Sequence, residues 1–310
     1  MTDNTRDLRS LSTLAGKTVI ITGGANGIGA ETVKLFNSYG ANTVIADLER
    51  TRAAAESLIQ SLQHPSALFI SVNILVWDEM RALFSQCISH FGTIDIVVAN
   101  AGIMESTSLF DIENVDKQGE LRESIEGFRV IDVNLKGTIN TLRLALHHMQ
   151  HNEPSSSNGL RGSVVLVTSM SGYFGTTGVG AYITSKHGLT GLLRASQRIA
   201  RGLTIGVNAV APFFTPTSTF KELAEEWKRS GLKSNSIGDV AQAIALAATQ
   251  NESGKCYMVA GRKSVEVENS RSALIEQWLG RETAGLLGSA SKLFEDKGYP
   301  LPKGHEKPST

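Results

Sequence analysis

Short apolar runs alternate with helix-patterned stretches along most of this 310-residue chain. Continuous apolar strands separated by helices of about ten residues or more are typical of a parallel sheet that is covered on both faces. Because crossovers between parallel strands are right-handed, the alternation predicts an α/β fold, a doubly wound parallel sheet of about seven strands with helices on both faces. The runs, rich in β-branched residues, lie at 17–22, 42–47, 67–72, 94–99, 162–168, 204–210 and 255–259.

The alternation also predicts how the chain is divided. We expect a flexible leader over 1–15, a single domain over 16–262, and a C-terminal extension over 263–310 with one amphipathic helix at 271–287. Residues 213–235 interrupt the pattern: they begin with two phenylalanines and continue into a charged amphipathic stretch. Their position after a strand, at the carboxyl edge where such sheets bind ligands, predicts a mobile lid.

Composition argues against several classes of protein. Lys plus Arg and Asp plus Glu number 30 each, a balance that disfavours binding to nucleic acid or to a membrane surface. The two cysteines, Cys87 and Cys256, have no metal-binding spacing, and we predict no metal site. The amino-terminal residues lack the apolar stretch of a secretory signal and no run is long enough to cross a bilayer, so we predict a cytoplasmic protein.

A glycine-rich turn follows the first strand and precedes the first helix. Residues 22–29 read TGGANGIG, whose glycines permit a tight turn and close approach of the backbone to a diphosphate. The N–H groups at the start of the helix would then face the phosphates. Asp47 ends the next strand about 20 residues on, where a carboxylate binds the ribose hydroxyls of NAD and repels the 2′-phosphate of NADP. This Rossmann-type pattern predicts NAD as the cofactor.

A tyrosine and a lysine lie four residues apart in the helical stretch at 179–201. On a helix, Tyr182 and Lys186 share one face, so the ammonium lies beside the phenol. Together with the positive charge of an oxidised nicotinamide ring, this proximity would lower the pKa of Tyr182 from about 10. A tyrosine with a lowered pKa can take a proton from an alcohol. Ser169 ends a strand upstream, and Asn134 lies in the sequence VNLKG inside the helical stretch at 123–150.

These motifs together resemble the short-chain dehydrogenase/reductase family, in order and over about residues 15–262. The features that carry the resemblance are TGGANGIG, Asp47, the NAG at 100–102, VNLKG, the spacing from Ser169 to Tyr182, and YITSK. The segment after the last strand is similar to prostaglandin-dehydrogenase-like members of the family.

The resemblance implies a role for each catalytic candidate. Tyr182 would be the general acid/base, and Lys186 would lower its pKa and bind the nicotinamide ribose. Ser169 would orient the substrate oxygen, while Asn134 would interrupt its helix and hold a water in a proton relay to Lys186. The cofactor site that the resemblance and the glycine turn imply comprises Thr22, Gly23, Asn26, Gly27, Ile28, Gly29, Asp47, Asn73, Ile74, Asn100, Ala101, Gly102, Tyr182, Lys186 and Thr215.

Two positions depart from the family pattern. Asn73 stands where the family usually has an aspartate near the adenine, and its amide oxygen can still accept a hydrogen bond from the adenine amino group. Phe213 follows Pro212 where the family has a glycine. Since phenylalanine does not reach the backbone conformations open to glycine without cost, we expect the loop that contains Thr215 to run differently.

The residues expected to line a substrate pocket are mostly apolar and include no Arg or Lys to bind an anion. We therefore predict a lipophilic secondary alcohol or ketone as substrate, such as a terpenoid, steroid, polyketide or fatty-acid derivative. The pocket candidates are Met104, Ser171, Tyr173, Phe174, Phe213 and Phe214.

Other readings of the function stay open. A non-catalytic NAD-binding scaffold of the same fold would not need the Ser, Tyr, Lys and Asn set, and an NADPH-dependent ketoreductase is disfavoured by Asp47. The resemblance further implies a homodimer or homotetramer formed through 123–150 and 179–201. The leucines expected on the outer faces of those helices are Leu142, Leu146, Leu189, Leu192 and Leu193.

Overall fold

The central element of the chain is a mostly parallel β-sheet, seen in a computed structural model that describes residues 8–175, 178–217 and 221–300. In that part of the chain the strands are β1 Thr18–Thr22, β2 Asn42–Asp47, β3 Ala67–Ser71, β4 Ile96–Ala99, β5 Gly162–Val167, β6 Ile205–Pro212, β7 Cys256–Ala260 and β8 Lys263–Glu266. Their order across the sheet is β3-β2-β1-β4-β5-β6-β7-β8. This order reverses direction between β1 and β4, which confirms the predicted doubly wound α/β fold.

The eighth strand was not predicted. It pairs antiparallel with β7, from Tyr257 opposite Glu266 to Ala260 opposite Lys263, whereas the other neighbouring strands pair parallel. Only four residues long and with alternate residues exposed, β8 does not read as an apolar run. Its pairing depends on the turn after β7 and not on its own sequence.

The helices lie between the strands as the alternation predicts. Ten precede the end of β8 in the described residues: α1 Gly27–Ser38, α2 Arg52–Gln60, α3 Trp77–Phe91, α4 Ile125–Ile131, α5 Gly137–Met149, α6 Ser171–Phe174, α7 Gly180–Ala195, α8 Gln197–Gly202, α9 Lys221–Arg229 and α10 Ile237–Thr249. A π-helical turn, Asp132–Lys136, joins α4 to α5. Ser236 begins α10 with a capping box, because its hydroxyl accepts from the Asp239 backbone N–H.

Two buried apolar clusters, one on each face, hold helices against the sheet. Successive strand residues point to opposite faces, so Ile20 of β1 joins the cluster with α3 and α5, while Val19 and Ile21 join the cluster with α1 and α10. Phe84 and Phe36 are the largest fully buried side chains of the two clusters. Because both faces are covered, the carboxyl edge of the sheet is left to bind ligands.

The described part of the predicted leader is ordered. A 3₁₀-helix, Leu8–Leu14, buries Leu11 and Leu14 completely in the cluster that contains α1 and α10. The expectation of a flexible segment is therefore wrong for 8–14, since two leucines three residues apart supply enough apolar surface to fix it. Residues 1–7 of the predicted leader lie outside the described residues.

The described residues from Glu268 onward form a second compact unit, separate from the unit that ends at Val267. This boundary lies later than the predicted one at 262, because β8 belongs to the sheet. The second unit contains α11 Glu268–Ala273, α12 Ile275–Leu279 and α13 Arg281–Lys297. The single helix predicted at 271–287 is thus wrong: it is broken before α12 and again at Gly280, whose φ of +79° favours glycine.

The leucines proposed for a subunit interface are taken up by the core. Leu142, Leu189 and Leu193 are buried, and Leu146 and Leu192 are partly buried against the cluster that contains α3 and α5. They therefore do not provide the exposed apolar face that the prediction assigned to them. Among the described residues, none of the helices combines the length and apolar character needed to cross a membrane.

Candidate active site

The glycine-rich turn connects the end of β1 to the start of α1. Gly23 and Gly27 have φ of +65° and +55°, in the left-handed region that favours glycine. A Cβ on Gly29 would lie 2.1 Å from the Gly23 carbonyl oxygen, so this position requires glycine as well. The turn therefore has the tight form that the sequence predicts.

This turn fits the diphosphate of a dinucleotide. Asn26 precedes α1 with an extended backbone, and within the described residues its side chain makes no capping hydrogen bond to the helix. The N–H groups of the first turn of α1, a helix of 12 residues, are thus left without a side-chain cap. Ile28 packs partly against the apolar cluster beneath the turn, which fixes the direction of the helix.

Thr22 and Asn100 join the carboxyl ends of β1 and β4. The Asn100 side-chain amide donates to the carbonyl oxygens of Thr22 (3.0 Å) and Gly23 (3.1 Å). In return, the buried Thr22 hydroxyl accepts from the backbone N–H groups of Asn100 (3.1 Å) and Ala101 (3.2 Å). The side chains of Thr22 and Asn100 thus stabilise the start of the glycine turn by linking it to the end of β4.

Asp47 lies beside the glycine turn at the end of β2. One carboxylate oxygen accepts from the Ala25 backbone N–H at 3.0 Å, and the other accepts from the Leu48 backbone N–H at 2.8 Å. These bonds orient the carboxylate next to the turn, and each oxygen keeps a further lone pair. A ribose bound along the turn would meet this negative charge.

Asn73 and Ile74 follow β3 and have separate structural roles. The Asn73 side-chain oxygen accepts from the Leu75 backbone N–H at 3.1 Å, and the backbone N–H of Asn73 donates to the Glu79 carboxylate at 2.7 Å. Ile74 is buried so closely over Gly137 that a Cβ there would lie 2.4 Å from its Cδ1. The amide of Asn73 is therefore fixed at the edge of the sheet, and its contact with adenine stays a prediction.

Tyr182 on α7 lies near Ser169, which follows β5. The Ser169 hydroxyl donates to the Pro212 carbonyl oxygen at 3.5 Å and accepts from the Ser171 N–H at 3.1 Å. Burial raises the pKa of Tyr182 from its ordinary value; the nearby Ser169 hydroxyl opposes this rise, and the negative charge of Glu105 adds to it. In the chain alone this pKa is thus shifted upward, opposite to the lowering that was predicted with an oxidised cofactor nearby.

Lys186 lies one turn after Tyr182 on the same helix face. Its ammonium is 5.4 Å from the centre of the Tyr182 ring and donates to the Val167 carbonyl oxygen at 3.0 Å. The side chain is 4% exposed, and burial lowers the pKa of Lys186 to about 8. The ammonium therefore stays charged at neutral pH but is held in a poorly solvated place.

Asn134 lies in the π-helical turn and is completely buried. Its side-chain oxygen accepts from the Ile103 N–H at 2.8 Å, while its amide donates to the Ile103 carbonyl and to the Ser185 hydroxyl, each at 2.9 Å. Gly102 lies between it and the lysine, since a Cβ there would be 3.2 Å from Asn134 Oδ1 and 3.7 Å from Lys186 Nζ. The helix is interrupted here as the resemblance implies, and Asn134 fixes the segment after β4.

The first residues after β6, 213–215, are held by aromatic contacts and hydrogen bonds. The Trp227 ring of α9 lies 4.5 Å from the Phe214 ring and 5.3 Å from the Phe213 ring, measured between centres. Thr215 donates to the Phe213 carbonyl at 2.9 Å and accepts from the buried Asn235 amide at 3.3 Å. Thr215 is therefore engaged within its own segment. Of the predicted lid, 218–220 lie outside the described residues, and its mobility stays a prediction.

The other pocket candidates differ in how exposed they are. Met104 is partly buried, whereas Phe174 is mostly exposed. Tyr173 packs against the cluster that contains α3 and α5, with the Arg194 guanidinium 5.8 Å above its ring. This residue is therefore oriented toward the protein interior. Ser171 stays close to the reacting groups through its bond to Ser169.

One residue of the site, Glu105, was not predicted. Three positions after Gly102, its carboxylate accepts from the backbone N–H of Ala181 at 2.8 Å and of Tyr182 at 3.0 Å. Glu105 is 8% exposed and faces the first turn of α7. A carboxylate within the apolar sequence GIME could have drawn attention to this residue. Its partners could not be found from the sequence, because they lie 76 and 77 residues further along the chain.

The fold and the site define a dinucleotide-binding α/β protein with a tyrosine and a lysine at the carboxyl edge of its sheet. Comparison with known proteins agrees, because the profile of the short chain dehydrogenase family matches residues 17–228. The chain belongs to the short-chain dehydrogenase/reductase family. Members of this family are oxidoreductases that bind a nicotinamide dinucleotide, which agrees with the predicted fold and class of cofactor.

Individual relatives cover most of the chain. Short-chain dehydrogenase/reductase prx4 of Penicillium roqueforti is 31% identical over 86% of this chain and 81% of its own length. The 3-oxoacyl-(acyl-carrier-protein) reductase FabG of Thermotoga maritima is 30% identical over 77% of this chain and 93% of its own. Among solved structures, 3-hydroxyacyl-CoA dehydrogenase type-2 from Mycobacterium avium superposes with a TM-score of 0.70 at 27% identity, covering 81% of this chain and 96% of that one. The similarity to prostaglandin-dehydrogenase-like members stays a prediction.

Proposed function

We propose that this protein is an NAD-dependent oxidoreductase that interconverts a lipophilic secondary alcohol and its ketone. The observation that carries the proposal is that Ser169 and Lys186 both lie beside Tyr182: the Ser169 hydroxyl is close enough to lower the pKa of the phenol, and the Lys186 ammonium is 5.4 Å from the centre of its ring. A fold that served only to bind a nucleotide would not need these three groups together. When bound, a nicotinamide dinucleotide supplies or accepts the hydride.

In the proposed reaction, the side chains move the proton and hold the substrate oxygen. Tyr182 accepts the hydroxyl proton during oxidation and returns it during reduction, and Ser169 orients the oxygen by a hydrogen bond. The Lys186 ammonium offsets the negative charge that develops on the phenol, an effect that is stronger in a buried site than in water. Asn134 holds the segment after β4 in place through Ile103, so that Gly102 lies beside the lysine.

The proposed preference for NAD depends on Asp47. Its carboxylate is oriented by the Ala25 and Leu48 N–H groups beside the turn, where the 2′-position of the adenine ribose is expected. A 2′-phosphate there would meet a like charge at close range. The glycine turn, residues 22–29, includes no Lys or Arg to compensate for it.

The proposed substrate class depends on the apolar character of the surrounding segments. Met104 and the Phe213–Phe214 pair contribute apolar surface near the carboxyl edge of the sheet. Two of the similar proteins carry names for acyl substrates, 3-oxoacyl and 3-hydroxyacyl, which supports a hydroxyl or keto group on an apolar chain. The particular alcohol is to be found by screening lipophilic secondary alcohols with NAD.

Replacing Tyr182 by phenylalanine tests the proposed chemistry. Because the variant Tyr182→Phe lacks only the transferable proton, we expect turnover of an alcohol that the wild type oxidises to fall by about 10²–10⁴-fold, with NAD affinity nearly unchanged. Absorbance of the reduced cofactor and a binding titration measure the two quantities. Tyr257→Phe is the matched control, since that hydroxyl belongs to β7. Wild-type rates in Tyr182→Phe would exclude this mechanism.

Titration with both cofactors tests the proposed preference. We expect NAD to bind about tenfold more tightly than NADP, because a like charge at about 4 Å costs roughly 1 kcal/mol even in water. In the variant Asp47→Asn the preference is expected to disappear. Tighter binding of NADP by the wild type would instead identify an NADPH-dependent reductase.

A further inference from the structure

A buried carboxylate joins the cofactor side of the site to the helix that carries Tyr182. Glu105 lies after β4, and both of its oxygens accept backbone N–H groups from the first turn of α7. Val179, which precedes that helix, makes no side-chain capping bond, so the carboxylate supplied by Glu105 takes that role. Its negative charge also lies favourably at the positive end of the 16-residue helix.

The segment that carries Glu105 is fixed on both sides. Upstream, both backbone polar groups of Ile103 bond to the buried Asn134 side chain. Downstream, the Glu126 carboxylate on α4 accepts from the Ser106 N–H and hydroxyl, each at 2.8 Å, and from the Thr107 N–H at 3.1 Å. The backbone on both sides of Glu105 is therefore held by hydrogen bonds, and this fixes the position from which its carboxylate contacts α7.

We propose that Glu105 positions Tyr182 in the proposed reaction: its two hydrogen bonds fix the first turn of α7, and its charge stands at the end of the helix that bears the phenol. The inference rests on the proposed role of Tyr182 as acid and base. It adds a residue that holds the acid/base group without touching the substrate.

The charge of Glu105 has a consequence for ionisation. A carboxylate near the phenol disfavours the phenolate, and the charge of Glu105 does raise the pKa of Tyr182. Ser169 acts in the opposite direction, and the Lys186 ammonium faces the ring on the same helix. The other charged groups on the elements packed against α7, which are not among the causes of this shift, are Glu126, Arg129, Asp132, Lys136, Arg198 and Arg201.

The test measures the ionisation of Tyr182 directly. Tyrosinate absorbance is recorded immediately after a jump to alkaline pH, before the protein unfolds, and the same record for Tyr182→Phe is subtracted. In Glu105→Gln we expect the pKa of Tyr182 to fall by about half a unit to one unit. Glu105→Asp keeps the negative charge, so the pKa of Tyr182 in this variant should lie within a few tenths of a unit of the wild-type value. Glu113→Gln removes an exposed carboxylate from the same segment and should change nothing.

A second measurement follows the pH dependence of kcat for alcohol oxidation. The acidic limb should move to lower pH in Glu105→Gln by the same amount as the absorbance titration. An unshifted titration in Glu105→Gln, or a rate that falls equally at every pH, would overturn the inference even if Tyr182→Phe abolishes turnover. A shifted titration in a protein that oxidises no alcohol would support the effect of Glu105 and count against the proposed function.

Discussion

Lys186 is a charged group in a place that water scarcely reaches. Its ammonium donates to the Val167 carbonyl and, among the described residues, forms no ion pair with a carboxylate, and burial lowers its pKa to about 8. An unfolded lysine keeps its proton up to about pH 10.4. Between these values the unfolded chain binds more protons than the folded one, so the free energy of unfolding rises with pH.

This rise of the free energy of unfolding with pH leads to a prediction for Lys186→Met, which keeps the length of the side chain and removes the charge. We expect the wild type to gain stability relative to the variant by about 1 kcal/mol per pH unit between about pH 8 and pH 10, since one pKa unit is 1.36 kcal/mol. Urea unfolding without cofactor at several pH values measures the difference. A gap between the two proteins that does not change with pH would contradict the lowered pKa.

At the scale of single elements, two helical glycines illustrate how local space decides the effect of one methyl group. A Cβ on Gly29 in α1 would lie 2.1 Å from the Gly23 carbonyl oxygen, so the glycine turn must move to admit it. A Cβ on Gly191 in α7 meets nothing within 4 Å among the described residues, and Gly191 is exposed. The same substitution is therefore expected to have opposite signs at the two positions.

We expect Gly191→Ala to raise the free energy of unfolding by about 0.5–1 kcal/mol, because alanine loses less backbone entropy in a helix. Gly29→Ala is expected to lower it by about 1–3 kcal/mol and to weaken dinucleotide binding, because the turn is overpacked. Thermal unfolding with and without NAD measures both effects. Equal affinity for NAD in Gly29→Ala and the wild type would show that the turn does not contact the diphosphate.

Elements whose signals are local were predictable from the sequence. Helix α3, Trp77–Phe91, has such a local signal, because its apolar residues recur at helical spacing and Gly92 follows with a φ of +83°. Tyr182 and Lys186 lie one turn apart on a helix, so their proximity was predictable as well. The π-helical turn at Asp132–Lys136 was implied only through the family resemblance, since the apolar spacing of 123–150 is that of a regular helix.

Features that depend on distant partners were not predictable. Strand β8 exists because a turn after β7 returns it to the sheet edge, and Glu105 finds its partners 76 and 77 residues further along the chain. Tyr173 was assigned to the pocket from its aromatic character, yet its ring packs against the core. In these cases tertiary packing decides the orientation of a side chain that the local sequence leaves open.

At the scale of the whole molecule, the exposed apolar surface bears on self-association. The leucines first assigned to an interface are buried or partly buried, but Ile125 and Phe128 on α4 are 75% and 53% exposed. Both lie within the stretch at 123–150 through which association was predicted. Monomeric proteins rarely expose large contiguous apolar patches, so we retain the predicted homodimer or homotetramer and assign its contact to these two residues.

Light scattering tests this assignment on the intact chain. We expect a mass of at least twice 33.2 kDa at micromolar concentration for the wild type, and a shift toward the monomer when Ile125 and Phe128 are both replaced by serine. Serine at Leu286 on α13, a side chain that is 70% exposed in the second unit, is the matched control and should leave the mass unchanged. The double substitution removes about 100–150 Å² of apolar surface from the contact in each subunit. At about 25 cal/mol per Å², this loss would weaken association of the dimer by roughly 2–4 kcal/mol for each subunit that carries it. A monomeric wild type would refute the prediction, and dissociation by the Leu286 variant alone would place the contact on the second unit instead.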